Sequence, residues 1–114
     1  MIPRRRVSWT RSAALDLRAT VLHIARTSPQ NAQKVLQQIR TVADTLESFP
    51  DRGRAVPEVE LLGLTSQREV LTSPYRTVYR SDQETVVVMA VFGGRRDRHD
   101  VLAERLLRAE SGPA

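Results

Sequence analysis

Apolar residues recur along residues 12–48 with the spacing of amphipathic helices. In the first stretch they return every three or four positions, at Ala14, Leu17, Val21 and Ile24. After a break at "TSPQ" the same spacing resumes, at Ala32, Val35, Leu36, Ile39, Val42, Ala43 and Leu46. Ser28 is a suitable N-cap for the second helix, and Pro29 fits its first position, where a missing N–H costs little. The pattern predicts a helical hairpin.

Strand patterns lie on both sides of this hairpin. Before it, "RRVSWT" alternates, with Val7 and Trp9 on one face. After it, "REVLTS" and "YRTVYR" are separated by Pro74, which fits a bulge or a strand start and not the middle of a ladder. "TVVVMAVF" is nearly continuous in apolar residues, as in a strand covered on both faces. "DVLAERLLRAE" predicts a short C-terminal helix, and residues 50–66, with two prolines and two glycines, predict a loop.

The order of these segments predicts an α+β fold. We expect an N-terminal strand, an α-helical hairpin, a three-strand antiparallel meander and a short C-terminal helix. One domain should span residues 1–110, followed by a disordered tail at 111–114. The hairpin should cover one face of an antiparallel sheet and leave the other face open except for the last helix. Depending on the register, that open face carries either Arg76, Val78 and Arg80 or Tyr75, Thr77 and Tyr79.

Charge and composition narrow the class of protein. The chain has 114 residues, 18 of them basic and 13 acidic, and a net charge of +5. The first 11 residues hold four arginines and no acid, so the remaining residues are nearly balanced, unlike a uniformly basic protein that neutralises phosphates. The absence of cysteine excludes disulfides and thiolate metal sites and fits a cytoplasmic location. No apolar run approaches the roughly 20 residues of a membrane span, and the N-terminus does not resemble a secretory signal.

Metal-ligand spacing is also missing from the sequence. The two histidines are isolated and the carboxylates are scattered, so we expect neither a metal nor a cofactor.

Arginines bracket the strand-forming part of the sequence. Lys34 is the single lysine, and the planar guanidinium suits carboxylates and phosphates, although codon composition produces the same bias. We predict that five arginines bind a partner protein: Arg68, Arg76, Arg80, Arg95 and Arg96. Two alternatives stay open. Arg76 and Arg80 are solvated strand residues in one, and Arg95 and Arg96 form an ion-pair cluster with Asp97 in the other.

Several short motifs follow one another in a recognisable order. They are "W-T-x-x-A-x-x-D-L" from Trp9, "SPQNAQKVLQQI", "L-x-x-F-P-x-x-G-R" from Leu46, "Y-R-x-V-Y-R" from Tyr75, and "V-F-G-G-R-R-D". Over about residues 5–100 the chain resembles the RelE/ParE superfamily of toxins from type II toxin–antitoxin pairs, and is closer to the ParE branch. The resemblance implies a helical hairpin on a small sheet. It also implies a cognate antitoxin, a separate and partly disordered chain that folds on the toxin.

The two branches of the superfamily imply different targets. ParE-like toxins poison DNA gyrase by protein contact, and this is the function that the resemblance favours, with no catalytic residues. RelE-like toxins are ribosome-dependent endoribonucleases that cut mRNA, which is the alternative. The superfamily often ends its last strand in "HGRRD", but this chain has Phe92 at the histidine position, and phenylalanine cannot transfer a proton.

The alternative function requires a base, a cation and an acid. Glu69 is the best candidate base and Arg76 the best candidate cation, because its fork can hold two phosphate oxygens. Tyr79 is a candidate acid, although its alternation with Thr77 favours a packing role. His23 lies among apolar neighbours of the first helix and is better explained as a partly buried structural residue. His99 follows the glycines near the tail and is not expected to have a chemical role. Glu69 has a simpler interpretation too, as half of a surface ion pair worth about 0–1 kcal/mol.

Overall fold

A computed structural model describes residues 4–93 and 99–111. Along the chain it contains β1 (Arg6–Trp9), α1 (Arg11–Ala25), α2 (Pro29–Asp44), a 3₁₀ turn (Thr45–Glu47), β2 (Arg54–Ala55), α3 (Pro57–Glu60), β3 (Gln67–Thr72), β4 (Tyr75–Ser81), β5 (Thr85–Gly93) and α4 (His99–Ser111). The predicted α+β order is confirmed. The predicted tail at 111–114 lies, apart from Ser111, outside the described residues.

The five strands form one sheet in the order β1-β5-β4-β3-β2. Strands β3, β4 and β5 make the predicted antiparallel meander, and β2 adds to β3 in the same sense. β1 instead pairs with β5 in parallel, so the sheet is mixed and our expectation of an antiparallel sheet was wrong for this strand. The sequence pattern marks β1 as a strand but does not fix its direction, and the long connection through the hairpin and the meander permits a parallel neighbour.

The segment predicted as a loop at 50–66 contains two regular elements. β2 has only two residues, too few to show a period of two. α3 starts with Pro57 at its first position and buries Val59, while Val56 just before it is also buried. The prediction of a plain loop was therefore wrong, because one buried turn of helix is shorter than the window over which helical spacing can be recognised.

The helical hairpin covers one face of the sheet, which we call the hairpin face. The hydroxyl of Thr10 accepts from the amide of Ala13 at 3.0 Å, and that of Ser28 accepts from the amide of Asn31 at 3.1 Å, so both helices begin at side-chain caps. The buried residues of the two helices are Ala13, Leu17, Ala32, Val35, Ile39 and Ala43. His23 lies exposed on α1, so our structural assignment of it as a partly buried residue was wrong.

The other side of the sheet, the opposite face, is also covered. Helices α3 and α4 pack there in a core cluster with Val56, Val59, Val78, Ala90, Phe92, Leu102 and Leu106. β5 is therefore buried on both faces, as its continuous apolar run predicted, with Val86, Val88 and Val91 in the clusters of the hairpin face. The expected open face is wrong: two short helices close it over the middle of the sheet.

The register of β4 decides between the two alternatives for its side chains. Tyr75 and Tyr79 pack in clusters of the hairpin face, and Val78 packs under α4. Arg80 pairs with Val87 and with Gln67, whose side-chain amide donates to the carbonyl of Leu106 in α4 at 3.2 Å. The set of Arg76, Val78 and Arg80 therefore belongs to the opposite face, with a register shift between Val78 and Tyr79.

None of the helices within residues 4–93 and 99–111 has both the length and the apolar content needed to cross a bilayer.

Candidate functional site

Glu69 of β3 and Arg76 of β4 are diagonal neighbours on the opposite face, because Glu69 is paired with Val78 and Arg76 with Leu71. Arg76 donates to Oε1 of Glu69 from Nε at 2.9 Å and from Nη2 at 2.5 Å. It also forms a bidentate pair with Glu58 of α3, with Nη1 at 2.8 Å from Oε2 and Nη2 at 2.7 Å from Oε1. All three guanidinium nitrogens of Arg76 thus donate to carboxylates, which is the strong, fork-to-fork geometry of such pairs.

The second oxygen of Glu69 is occupied as well. Arg54 of β2 donates to Oε2 from Nε at 2.9 Å, and its Nη2 forms an ion pair with the same oxygen at 2.8 Å. The side chain of Glu69 is 0% exposed and that of Arg76 is 15% exposed. Glu58 raises the pKa of Arg76 chiefly through its hydrogen bond, against the opposing effect of burial. The ion pair expected for Glu69 exists, but it is buried rather than on the surface.

Tyr79, the candidate acid, lies on the other side of the sheet. It is completely buried, its hydroxyl donates to the carbonyl of Pro50 at 2.6 Å, and it accepts from the amide of Gly53 at 3.0 Å. Burial is the largest cause that raises its pKa. Gly53 is required here because a Cβ would lie 2.7 Å from the tyrosine Oη and 2.8 Å from the carbonyl oxygen of Glu69. The structure therefore does not bring the three candidate catalytic residues together.

The five arginines predicted to bind a partner do not share one surface in the described part of the chain. Arg68 lies opposite Tyr79 in the register of β3 and β4. Its side chain donates to the carbonyl of Gly53 at 2.8 Å and so holds the loop before β2. Arg76 is enclosed in the pairs with Glu58 and Glu69. Arg80 lies half-buried on the opposite face, and Arg95 and Arg96 lie outside the described residues. Arg68 and Arg76 are therefore engaged within the chain, and contacts of the five arginines with a partner stay a prediction.

Two structural anchors of the opposite face were missed from the sequence. Glu58 was assigned to the loop, although Pro57 followed by glutamate is a common start of a helix. Arg105 of α4 donates to Oδ1 of Asp16 at 2.8 Å and to the carbonyl of Met89 at 3.3 Å, and lies 5.4 Å from the ring centroid of Phe92. Asp16 also accepts from the amide of Val91 at 3.0 Å, so it joins α1, α4 and β5.

An apolar groove remains open on the hairpin. It has a volume of about 390 Å³ and lies between α1 and α2, lined by Trp9, Ala14, Leu17, Arg18, Val21, Leu22, Leu36 and Arg40. We call it the interhelical groove. Trp9, which the strand pattern places on one face with Val7, packs against two core clusters and also lines this groove. The available signal was the apolar stripe of α1, which is wider than one buried face requires.

Metal-binding groups are not clustered in the described residues. Within that part of the chain no three side chains of histidine, cysteine, aspartate or glutamate lie close enough to hold a metal ion.

Known proteins resemble this chain in sequence and in fold. The model of the family described as the ParE toxin of the type II toxin–antitoxin system parDE matches residues 7–98. A protein named Toxin RelE2 from Caulobacter vibrioides is 36% identical over 69 residues, which are 60% of this chain and 72% of that protein. A solved structure titled "Chromosomal ParDE TA system from P. aeruginosa" has a TM-score of 0.65 at 22% identity and covers 81% of this chain and 98% of its own, which shows a shared fold.

The extent of the family match bears on α4. The match ends at residue 98, directly before this helix begins at His99, so it covers the hairpin, α3 and, apart from Arg6, all five strands, but not α4. The match spans well over half of the sequence, and the chain belongs to the ParE toxin family of type II toxin–antitoxin systems.

Proposed function

We propose that this toxin poisons DNA gyrase by protein contact, in the cytoplasm, and that its cognate antitoxin prevents this by binding the toxin. Membership of the family supplies the toxin class and implies an antitoxin protein as partner. Gyrase as the target, and contact rather than catalysis as the mode of action, are the proposal.

The buried network around Glu69 carries the proposal. A general base must reach the proton that it removes, and a phosphate-binding guanidinium must present its fork to the substrate. Both oxygens of Glu69 accept hydrogen bonds from arginines, and the guanidinium of Arg76 donates to the carboxylates of Glu58 and Glu69. Neither group is available to an RNA phosphate without breaking buried ion pairs.

The position of Phe92 supports the same conclusion. It stands where the superfamily often has a histidine, and its ring is buried in the cluster beneath Leu102 and Leu106. Tyr79, the candidate acid, is buried in a cluster of the hairpin face, on the other side of the sheet from Glu69 and Arg76. A protein of this arrangement suits inhibition by binding better than cleavage.

The second candidate is a ribosome-dependent mRNA endoribonuclease. The relative named Toxin RelE2 favours it, at 36% identity over 69 residues. In this candidate, ribosome binding would have to exchange Glu58 for a phosphate at Arg76 and expose Glu69. The two candidate functions therefore differ at Glu69: the nuclease requires its carboxylate as a base, and inhibition by protein contact does not.

The experiment compares the protein with its Glu69→Gln variant in two assays. With purified gyrase and plasmid, we expect linear DNA to accumulate after detergent and protease treatment, for both proteins and in proportion to dose. With translating ribosomes, we expect the message to stay intact by primer extension. Circular dichroism checks that the variant is folded at the assay temperature. Cleavage of message in the ribosomal A site that is lost in the folded variant, without trapped gyrase–DNA complexes, would establish the nuclease instead.

A further inference from the structure

The net positive charge of this protein is concentrated in β1 and the helical hairpin. Residues 4–44, all of which the structure describes, hold eight basic and two acidic side chains, a net charge of +6. Residues 45–93, which form the 3₁₀ turn, α3 and strands β2 to β5, hold five basic and seven acidic side chains, a net charge of −2. The fold therefore gathers on the hairpin a positive charge that the whole sequence shows only weakly.

Helix α1 carries arginines and leucines in one exposed stripe. Arg11, Leu15, Arg18, Leu22 and Arg26 follow each other at intervals of three or four residues, so they lie on one side of the helix. All five are exposed. At a rise of about 1.5 Å per residue, these residues extend over about 22 Å. We call this set the α1 stripe.

The arginines of the α1 stripe differ from those of the sheet in their partners. Within residues 4–93 and 99–111, no carboxylate forms an ion pair with an arginine of the stripe or with Arg40, which lines the interhelical groove together with Arg18. Arg76 of the sheet, in contrast, is held by Glu58 and Glu69. A guanidinium without a carboxylate partner keeps its fork of donors for an external anion.

The composition of the hairpin favours a nucleic-acid duplex over a single strand as that anion. Arginine binds phosphate oxygens without contacting a base, and duplex DNA carries one charge per about 1.7 Å of its axis, so a stripe about 22 Å long meets several phosphates. Single strands are instead held largely by aromatic side chains that stack on the bases. Neither α1 nor α2 contains phenylalanine, tyrosine or tryptophan.

We propose that Arg11, Arg18 and Arg26 of the α1 stripe, together with Arg40, bind the phosphate backbone of duplex DNA without regard to its sequence. The choice of DNA over duplex RNA rests on the proposed function, because gyrase acts on DNA. The toxin then contacts the DNA of the gyrase complex as well as the enzyme. Phosphate contacts do not require the leucines of the stripe, whereas docking of a protein on the same surface would use them.

The test measures binding of the toxin alone to DNA, with no gyrase present. Fluorescence anisotropy follows a labelled duplex of about 20 base pairs and arbitrary sequence, at salt concentrations from about 50 to 200 mM. Four phosphate contacts predict that the logarithm of the association constant falls against the logarithm of the salt concentration with a slope of about −3.6. Unlabelled duplexes of DNA and of RNA, equal in sequence, then compete for the toxin.

Matched variants locate the contacts. Arg18→Gln combined with Arg40→Gln removes two of the four, and we expect a slope of about −2 and an affinity lower by about tenfold or more. Lys34→Gln removes an exposed cation of α2 that does not line the groove, and should change the slope by less than about 0.5. Leu22→Gln keeps the charge of the stripe and should change the affinity by less than about twofold. Circular dichroism checks that each variant is folded.

The outcomes separate DNA from the other ligands of a cationic surface. The slopes stated above, with the double variant impaired and the two controls intact, would support the proposal. Absence of binding at the lowest salt concentration, or equal slopes for the double variant and Lys34→Gln, would overturn it. Tighter binding of duplex RNA would assign the stripe to RNA, and a loss in Leu22→Gln as large as in the double variant would assign it to a protein; both would overturn the proposal.

This test also separates the DNA contact from the choice of target. Because gyrase is absent from the binding assay, DNA binding by a toxin that does not poison gyrase would refute the proposed target alone. Poisoning of gyrase by a toxin that fails the DNA-binding test would refute the role of the α1 stripe alone.

Discussion

Arg76 donates two hydrogen bonds to a single oxygen of Glu69, Oε1, from Nε at 2.9 Å and from Nη2 at 2.5 Å. Because Arg54 occupies the other oxygen, the glutamate joins β2, β3 and β4, and Arg76 extends the connection to α3 through Glu58. Residues that resemble catalytic groups in sequence thus hold the edge of the sheet and α3 together.

Glu69→Gln should destabilise the fold. Removing one member of a buried, hydrogen-bonded charge pair costs about 3–5 kcal/mol in other proteins, and the retained Glu58 pair of Arg76 places this variant near the lower end, at about 3 kcal/mol. Urea denaturation measures the change. Glu104→Gln is the control: Glu104 forms an exposed pair with Arg108 one turn away, and losing it should cost less than about 0.5 kcal/mol. Equal losses for the two variants would show that the Glu69 pair is no stronger than a surface pair.

Tyr79→Phe should loosen the loop that precedes β2. The substitution removes the hydroxyl that donates to the carbonyl of Pro50 and accepts from the amide of Gly53, so both buried groups lose this hydrogen-bond partner. We expect a loss of about 2 kcal/mol, the usual cost of unsatisfied buried groups. Hydrogen exchange should show faster exchange at Gly53, while the amides of β5 keep their relative protection. Tyr75→Phe, on the same strand, is the matched control and should leave the exchange of Gly53 unchanged.

The raised pKa of Tyr79 adds a test in alkaline solution. Burial favours the neutral phenol, so the folded pKa exceeds the ordinary value of 10.0. The stabilisation is therefore complete below pH 10.0 and is lost as the pH rises through the folded pKa. In Tyr79→Phe, the loss of unfolding free energy that Tyr79 ionisation causes above pH 10.0 should disappear. An unchanged slope of unfolding free energy against pH above 10 would show that Tyr79 does not titrate with unfolding.

Asp82 should titrate below its ordinary pKa of 3.8. The amide of Glu84 contributes most to the lowered pKa, followed by the amide and hydroxyl of Thr85, all of which donate to the carboxylate. Because the folded pKa is depressed, its stabilisation is present above pH 3.8 and is lost as the pH falls through the folded value. NMR titration of the carboxyl carbon measures this pKa, and Thr85→Val should move it toward 3.8. A titration of Asp82 at 3.8 or higher in the unmodified protein would contradict the turn geometry.

The sequence predicted the elements whose apolar spacing persists over many residues or whose ends are marked by capping residues and prolines. The hairpin was predictable because its apolar spacing persists over more than thirty residues and because Ser28 and Pro29 mark the second helix start. β5 was predictable because a continuous apolar run rich in valine is typical of a strand covered on both faces. That run already implied that the opposite face is covered, and it was a better guide than the absence of a second long helix.

The candidate site was less predictable because it depends on contacts between distant residues. Glu58 and Glu69 are separated along the chain by a turn and a loop, and only the packing of α3 brings both to Arg76. The pairing of Asp16 with Arg105 spans nearly the whole sequence. The sequence shows which residues are charged, but it does not show which of them the fold brings together in ion pairs.

Helix α4 should contribute strongly to stability although it lies beyond the family match. Leu102 and Leu106 are both 1% exposed and fill the cluster of the opposite face over Val78, Ala90 and Phe92. Leu106→Ala should therefore cost about 2–4 kcal/mol, from the lost transfer free energy and the cavity that remains. Chemical denaturation measures the loss, and Leu71→Ala, at a leucine that is 50% exposed, should cost less than about 1 kcal/mol. A Leu106→Ala loss as small as that of Leu71→Ala would mean that α4 does not cover the opposite face in solution. Glu69 and Arg76 would then be more accessible to a ligand than the structure shows.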